Sequence, residues 1–200
     1  MACSLYHICL SLFLEQKSDV GFVVALDEAH QFMTDSGECR SLTDGLLRTI
    51  RLQRHLGARV IISTQEPTIS TELLDLCSTT IVHRFSSPAW HQALTKHLAG
   101  ASMCADEGEK RDGENEKSWF VGVQPLSFKG SKEIFQEIVG LATGEALVFA
   151  PNAIVGMKEV EGGDNVPAGK KVPLRLGHGV LKLRMRKRVT QDGGRSVLAG

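Results

Sequence analysis

The chain has 200 residues, 42% of them hydrophobic, and its 23 Lys and Arg are balanced by 23 Asp and Glu. That length and apolar content suit one ordinary soluble domain able to bury a core, and zero net charge excludes a global field favouring nucleic acid or a membrane surface. Five cysteines, at positions 3, 9, 39, 77 and 104, are odd in number and form no Cys-x-x-Cys pair. They read as scattered thiols of a reducing compartment, so the expected location is intracellular, cytoplasmic or nuclear.

Ala2 to Leu14 is apolar but lacks a basic n-region and a small-residue cleavage site, and it is too short to span a bilayer. Leu5, Ile8, Cys9, Leu12 and Phe13 follow a helical repeat, which predicts a helix packed on a sheet. The run Gly21-Phe-Val-Val-Ala-Leu-Asp-Glu-Ala-His30 then ends abruptly in Asp27 and Glu28. A buried parallel strand reads this way when it delivers acids to the carboxyl edge of its sheet, where α/β proteins bind ligands. Next, Leu46, Leu47 and Ile50 share one helical face, Arg48, Arg51 and Arg54 another, and Gly57 stands where a C-cap belongs. A second β-branched strand, the run Arg59–Gln65, ends in small polar residues and an amide; a helical stretch follows around Leu73 and Leu76, and a third strand is predicted at 79–85. Strands alternating with helices predict a parallel α/β sheet. Two neighbouring strands ending in an acid pair and an amide put three polar groups around one crevice.

Further on, residues 105–118 are charged, hold no large apolar group, and read as a loop or linker. A helix is predicted at 131–141, with Ser131 as N-cap, Glu133 in the first turn, and Ile134, Phe135, Ile138 and Val139 facing inward. Residues 156–173, with Gly156, Gly162, Gly163, Gly169, Pro167 and Pro173, read as a loop. Leu181, Leu183 and Met185 alternate with Lys182, Arg184 and Arg186, which predicts a strand with one apolar and one cationic face. The cations of 170–195 suit either nucleic-acid phosphates or an edge strand kept soluble by charge; no aromatic interleaves to stack bases, which favours the edge strand. His91, His97 and Cys104 have spacings that fit no common metal site.

Three strings carry a resemblance to a known family: Asp27-Glu-Ala-His30, then Arg54-His-Leu-Gly-Ala-Arg-Val-Ile-Ile-Ser-Thr-Gln-Glu-Pro67, then Ile81-Val-His-Arg-Phe-Ser-Ser-Pro88. They resemble the HerA/FtsK superfamily of P-loop ATPases, hexameric pumps and DNA translocases; the second string is the most specific. Gly144-Glu-Ala-Leu-Val-Phe149 resembles a late strand of the same family, so the likeness spans roughly residues 19–98 and 141–150. It implies a partial RecA-like parallel sheet with flanking helices, followed by a C-terminal β-rich basic extension. It also implies Asp27 as the acid that holds Mg2+ through water, Glu28 as the catalytic acid, and Gln65 as the sensor amide beside the γ-phosphate of ATP. Arg54 matches a helix that in some members presents an arginine to a neighbouring subunit's nucleotide.

The chain departs from that family in lacking Gly-x-x-x-x-Gly-Lys-Ser/Thr, the backbone cradle for phosphates. Its only Gly-Lys is Gly169-Lys170, with Asp164 in place of the first glycine and Lys171 in place of Ser/Thr. Affinity for ATP is therefore expected to be weak or nil. With so few residues before Asp27 the chain reads as the carboxyl-terminal half of a motor. The expected organisation is 1–104 as a partial nucleotide-binding core, 105–118 as a charged loop, 119–155 as a helix and strand of the same domain, and 156–200 as a Gly/Pro-rich loop and basic strand. The leading reading is an ATPase-related protein, inactive alone, that forms a homo- or hetero-oligomer with a P-loop-containing subunit. An alternative is a non-catalytic interaction module, a pseudo-ATPase associating with an intact motor. A DExH-box helicase fragment is a third, but the Ser-Ala-Thr-like and Gln-x-x-Gly-Arg-x-Gly-Arg motifs of that class are absent.

Overall fold

Ala2–Leu14 forms helix α1, as its apolar repeat predicts. In the computed structural model the described residues are 2–16, 20–33, 37, 39–97, 126, 128, 130–160 and 170–186. They divide into two units, Met1–Cys77 with Ser87–Leu98, and Ser78–Ser86 with Ala99–Gly200. The loop expected at 105–118, Cys104, and the cations beyond residue 186 lie outside the described residues. Among the described residues, no helix is long and apolar enough to cross a membrane.

The first unit is built on two parallel strands, β1 (Phe22–Leu26) and β2 (Ala58–Ile62), paired in register from Phe22↔Ala58 to Leu26↔Ile62. Helix α2 (Arg40–Arg51) connects them, and helices α3 (Thr71–Leu76) and α4 (Pro88–His97) complete the unit. Alternation along the strands sends Val24, Leu26, Val60 and Ile62 to one face, where they pack against Leu42, Leu46, Leu47 and Ile50 of α2 and against Ile69 and Leu73. The two buried hydroxyls of α2 bond back to their own helix, Thr43 to the Cys39 carbonyl at 3.2 Å and Thr49 to the Gly45 carbonyl at 2.8 Å, so neither is left unsatisfied.

Helix α2 is shorter than its pattern predicts. It ends at Arg51, and Leu52–Gly57 is a separate turn closed by the Leu56 N–H on the Leu52 carbonyl at 3.0 Å. Gly57 is not the helix cap. Its φ of 60° turns the chain into β2, and its carbonyl accepts the Phe22 N–H at 3.0 Å where the strand pair begins. A Cβ on Gly21 would meet that same carbonyl at 2.9 Å, so both glycines serve one close approach.

Cys3 and Cys39 are joined by a disulfide with Cα atoms 5.1 Å apart, which corrects the expectation of scattered thiols. A separation of 36 positions gives no hint of the approach; docking α1 beside α2 creates it. Cys9 and Cys77 are exposed free thiols.

The second unit is antiparallel. Strand β4 (Glu145–Phe149) lies between β3 (Thr80–His83) and β7 (Leu181–Arg184), and β5 (Ile154–Val160) forms a hairpin with β6 (Lys170–Arg175). Two expectations are corrected here. The strand at 79–85 does not continue a parallel series but pairs antiparallel with β4, Thr80↔Phe149 to His83↔Ala146, because apolar periodicity announces a strand and not its partner. Residues 156–160 and 170–173 are also ladder rather than loop, while 161–169 lie outside the described residues; Pro173 is on β6, which has one partner strand among the described residues, so a missing N–H is tolerated. Helix α5 (Ser131–Gly140) buries Ile134 and Ile138, but its N-cap is Gly130 rather than Ser131, and Val139 is exposed. Strand β7 is an edge as expected, and its Lys182 ammonium bonds Glu137 at 2.9 Å and lies 3.4 Å from Glu145.

Two outcomes follow. Leu46→Ala, at a side chain with 0% exposure, lowers unfolding free energy by about 2–5 kcal/mol. Leu12→Ser, at a 60% exposed side chain, changes it by under about 0.5 kcal/mol; urea denaturation followed by circular dichroism measures both. In the second unit the Ala142 N–H, and after it Lys182, hold the Glu145 carboxyl below its ordinary range. A carboxyl lowered by folding contributes stability above its unfolded pKa and loses it as the pH falls through the lower folded value. The wild type therefore loses stability relative to Glu145→Gln as the pH drops below about 4.3, read as the difference in urea midpoint across that range.

Candidate functional site

The β1–β2 register decides which residues meet at the carboxyl ends of the strands. The ladder continues past them, with Ser63 N–H donating to the Leu26 carbonyl at 2.8 Å and Ala29 N–H to the Ser63 carbonyl at 2.9 Å. Asp27 and Glu28 thereby stand opposite Ser63–Gln65. A single 3-10 turn, Ala29–Gln31, follows, with Ala29 fully buried. That burial holds the backbone down, with Asp27 exposed and Glu28 half-buried.

Glu28 is the centre of the cluster. The Gln65 side-chain amide donates to its Oε1, and His30 Nδ1 lies 3.4 Å from its Oε2. Thr64 donates its hydroxyl to the Glu66 carbonyl at 3.1 Å, so its oxygen is left to accept where it meets His30 Nδ1 at 3.5 Å. His30 Nδ1 thus faces both the Thr64 hydroxyl and the Glu28 carboxylate. Asp27 Oδ1 accepts the Glu28 N–H at 3.0 Å. Gln65 is held from behind as well, since the Trp90 indole N–H of α4 donates to its carbonyl at 2.8 Å. Ser87, just ahead of Pro88, accepts the Trp90 N–H at 3.4 Å and starts that helix.

Glu28 also has unusual backbone geometry. At φ 50° and ψ 44° it is the one non-glycine residue with positive φ among the described residues. An L-residue pays about 1–2 kcal/mol for the left-handed region, and the Ala29–Met33 turn beyond it enforces the conformation.

Of the residues the sequence singles out, Asp27, Glu28 and Gln65 come together and Arg54 does not. Arg54 is exposed in the turn before β2, whereas Gln65 follows that strand; five strand residues span about 16 Å. Arg54 lies at the opposite end of β2 from the cluster. The sequence pattern assigns no role to His30, Thr64 or Trp90. His30 was visible two positions after Glu28, and Trp90 carries an N–H that needs a partner once it is covered. Among the described residues no group of three His, Cys, Asp or Glu is arranged to enclose a metal ion. Asp27 is exposed, and the Glu28 N–H on its Oδ1 is its hydrogen bond within the cluster. For the phosphates of ATP, the sequence contains no glycine-rich cradle to hold them.

Neither a protein-family model nor a curated protein matches this chain.

If the Glu28 backbone is strained for the sake of its side chain, replacing it tests the cost. Glu28→Gly leaves stability unchanged or raises it by up to about 1 kcal/mol, whereas β-branched Glu28→Val lowers it by about 1–2 kcal/mol. Thermal and urea unfolding of both variants measures the difference.

Proposed function

We propose that this chain is an ATPase-related protein of the HerA/FtsK kind, supplying the acid-and-amide half of a nucleoside triphosphate site and inactive without a P-loop-containing subunit. One observation carries the reading: Glu28 and Gln65, delivered by adjacent parallel strands, are hydrogen-bonded to each other beside Asp27. A catalytic carboxylate and a sensor amide must share one phosphate end, so a fold that separated them would leave no basis for it. The β1–α2–β2 unit is what a RecA-like sheet contributes at this point, and β3, paired antiparallel with β4, is where the chain departs from that sheet.

In this scheme Mg2+, held through water at Asp27, would neutralise charge on the phosphate oxygens. Glu28 accepts the proton of the attacking water. Gln65 leaves its bond to Glu28 and turns its amide toward the transferred phosphoryl group, while Trp90 keeps the backbone of Gln65 in place. The partner that completes the site, another copy of a related chain or a different one, brings the cradle.

The pseudo-ATPase reading draws on a separate fact. Both Glu28 oxygens already face donors, Gln65 and His30, so the acid is committed to its own chain. A nucleic-acid contact through 170–195 has less behind it, since the Lys182 charge is taken up by Glu137 and Glu145.

Alone, the chain releases no phosphate from Mg·ATP above the blank. Assembled with a P-loop-bearing subunit it turns over ATP, and Glu28→Gln in this chain lowers the rate by about 10²–10⁴-fold without disrupting assembly. Turnover that survives Glu28→Gln unchanged removes Glu28 from the chemistry, and an assembly with no turnover at all favours the pseudo-ATPase.

A further inference from the structure

We propose that the Cys3–Cys39 disulfide is a redox latch that holds α1 against the segment carrying Asp27, Glu28 and His30. The inference concerns the geometry of that segment and stands whichever ligand the acids take.

The bond ties the first turn of α1 to the residue just ahead of α2, and both cysteines are buried, at 7% and 8% exposure. Little else fastens α1. Cys3 is its one buried side chain, while Leu5, Ile8 and Leu12 are each more than half exposed. The helix has 13 residues and no charged side chain, so it has no ion pair to steady it and is near the length at which an isolated helix is marginal. Beyond the disulfide, Leu10 packs against the core cluster and His7 lies beside Gly45 of α2, and two ring pairs reach toward the acids. Tyr6 meets Phe32 edge-on at 4.9 Å between ring centres, and Phe13 meets Phe22 at 5.0 Å.

Those attachments fall on either side of the acids. Phe22 opens β1, and Phe32 closes the turn that follows Glu28. The turn consists of Gln31 N–H on the Glu28 carbonyl at 3.0 Å, with Phe32 and Met33 N–H on the Ala29 carbonyl at 3.0 and 2.9 Å. It is what keeps Glu28 in the left-handed region. A covalent tether keeps Tyr6 at Phe32 at high effective concentration; once it is cut, Leu10, His7 and a few half-covered rings are left to hold α1.

The step balances with a dithiol as reductant. Its thiolate attacks one sulfur and the Sγ–Sγ bond breaks. Two electrons and two protons pass to Cys3 and Cys39, which become thiols, and the dithiol departs as its own disulfide. The α1 helix then lifts, Phe32 loses its ring partner, and the turn behind Glu28 opens.

Amide hydrogen exchange on the full chain, oxidised against dithiothreitol-reduced, tests this. Reduction speeds exchange in α1 and at Gln31–Met33 on the order of ten-fold or more, while Leu46–Ile50 and Ala146–Phe149 keep their protection. Cys39→Ser shows the fast pattern without reductant and no further response to it. Wild type that is reduced and alkylated gives the same comparison should that variant fold poorly. A Cys9→Ser/Cys77→Ser chain retains the full wild-type response. Three results each overturn the proposal: identical exchange in the two states, alkylation of Cys3 and Cys39 without prior reduction, or loss of protection throughout α2 and β4, which would make the bond a general staple.

Discussion

The parallel pairing of Phe22–Leu26 with Ala58–Ile62 is the constraint on which the first unit and its polar cluster depend. Pairing Leu26 with Ile62 sets residues 27–29 beside 63–65 before any side chain is considered. A slip of one position would turn Val24, Leu26, Val60 and Ile62 out of the core and move Gln65 away from Glu28. The register is therefore held by burial on the inner face and by backbone geometry at both ends. At one end the Gly57 carbonyl sits on Phe22; at the other, Ser63 and Leu26 extend the ladder. The polar cluster inherits its precision from these apolar and main-chain contacts, and its own hydrogen bonds are too exposed to set it.

The same pair leaves something unfinished. Its outer face exposes Val23 and Ile61, at 59% and 58%, and no strand pairs with either outer edge among the described residues. Parallel strands usually have both faces covered.

What the sequence made legible was local. The helix at 2–14, the acid-tipped strand and the apolar face of α2 follow from periods of 3.6 or 2 over short windows, whereas the inward faces expected of α1 and β7 do not form, since Leu5, Ile8, Leu12 and Leu183 are exposed. The meeting of Asp27, Glu28 and Gln65 was legible as well, since adjacent parallel strands with a single crossover leave little freedom in where their ends fall. What stayed hidden was long-range or competing. Nothing in Thr80–His83 names β4 as its neighbour, and nothing in the spacing of Cys3 and Cys39 announces a bond. The arginine repeat at 48, 51 and 54 continues past the true end of α2, because entry into β2 requires a turn there and tertiary demand overrides periodicity. Glycine and proline between 156 and 173 mask a hairpin whose proline sits where no ladder donor is needed.

Glu28 is where the local rules and the fold conflict most openly. A glycine or asparagine would occupy its backbone conformation at less cost, and a carboxylate has no intrinsic reason to be there. Natural sequences agree with their folds at most positions, and the exceptions gather where a side chain is wanted for something other than stability. Three separate devices act on this one residue: the buried Ala29 turn that sets its backbone, the Gln65 amide on one oxygen, and the His30 ring near the other. A surface acid in a solvated turn would need none of them. Their convergence argues that the position of the Glu28 carboxylate is what this part of the chain is built to control.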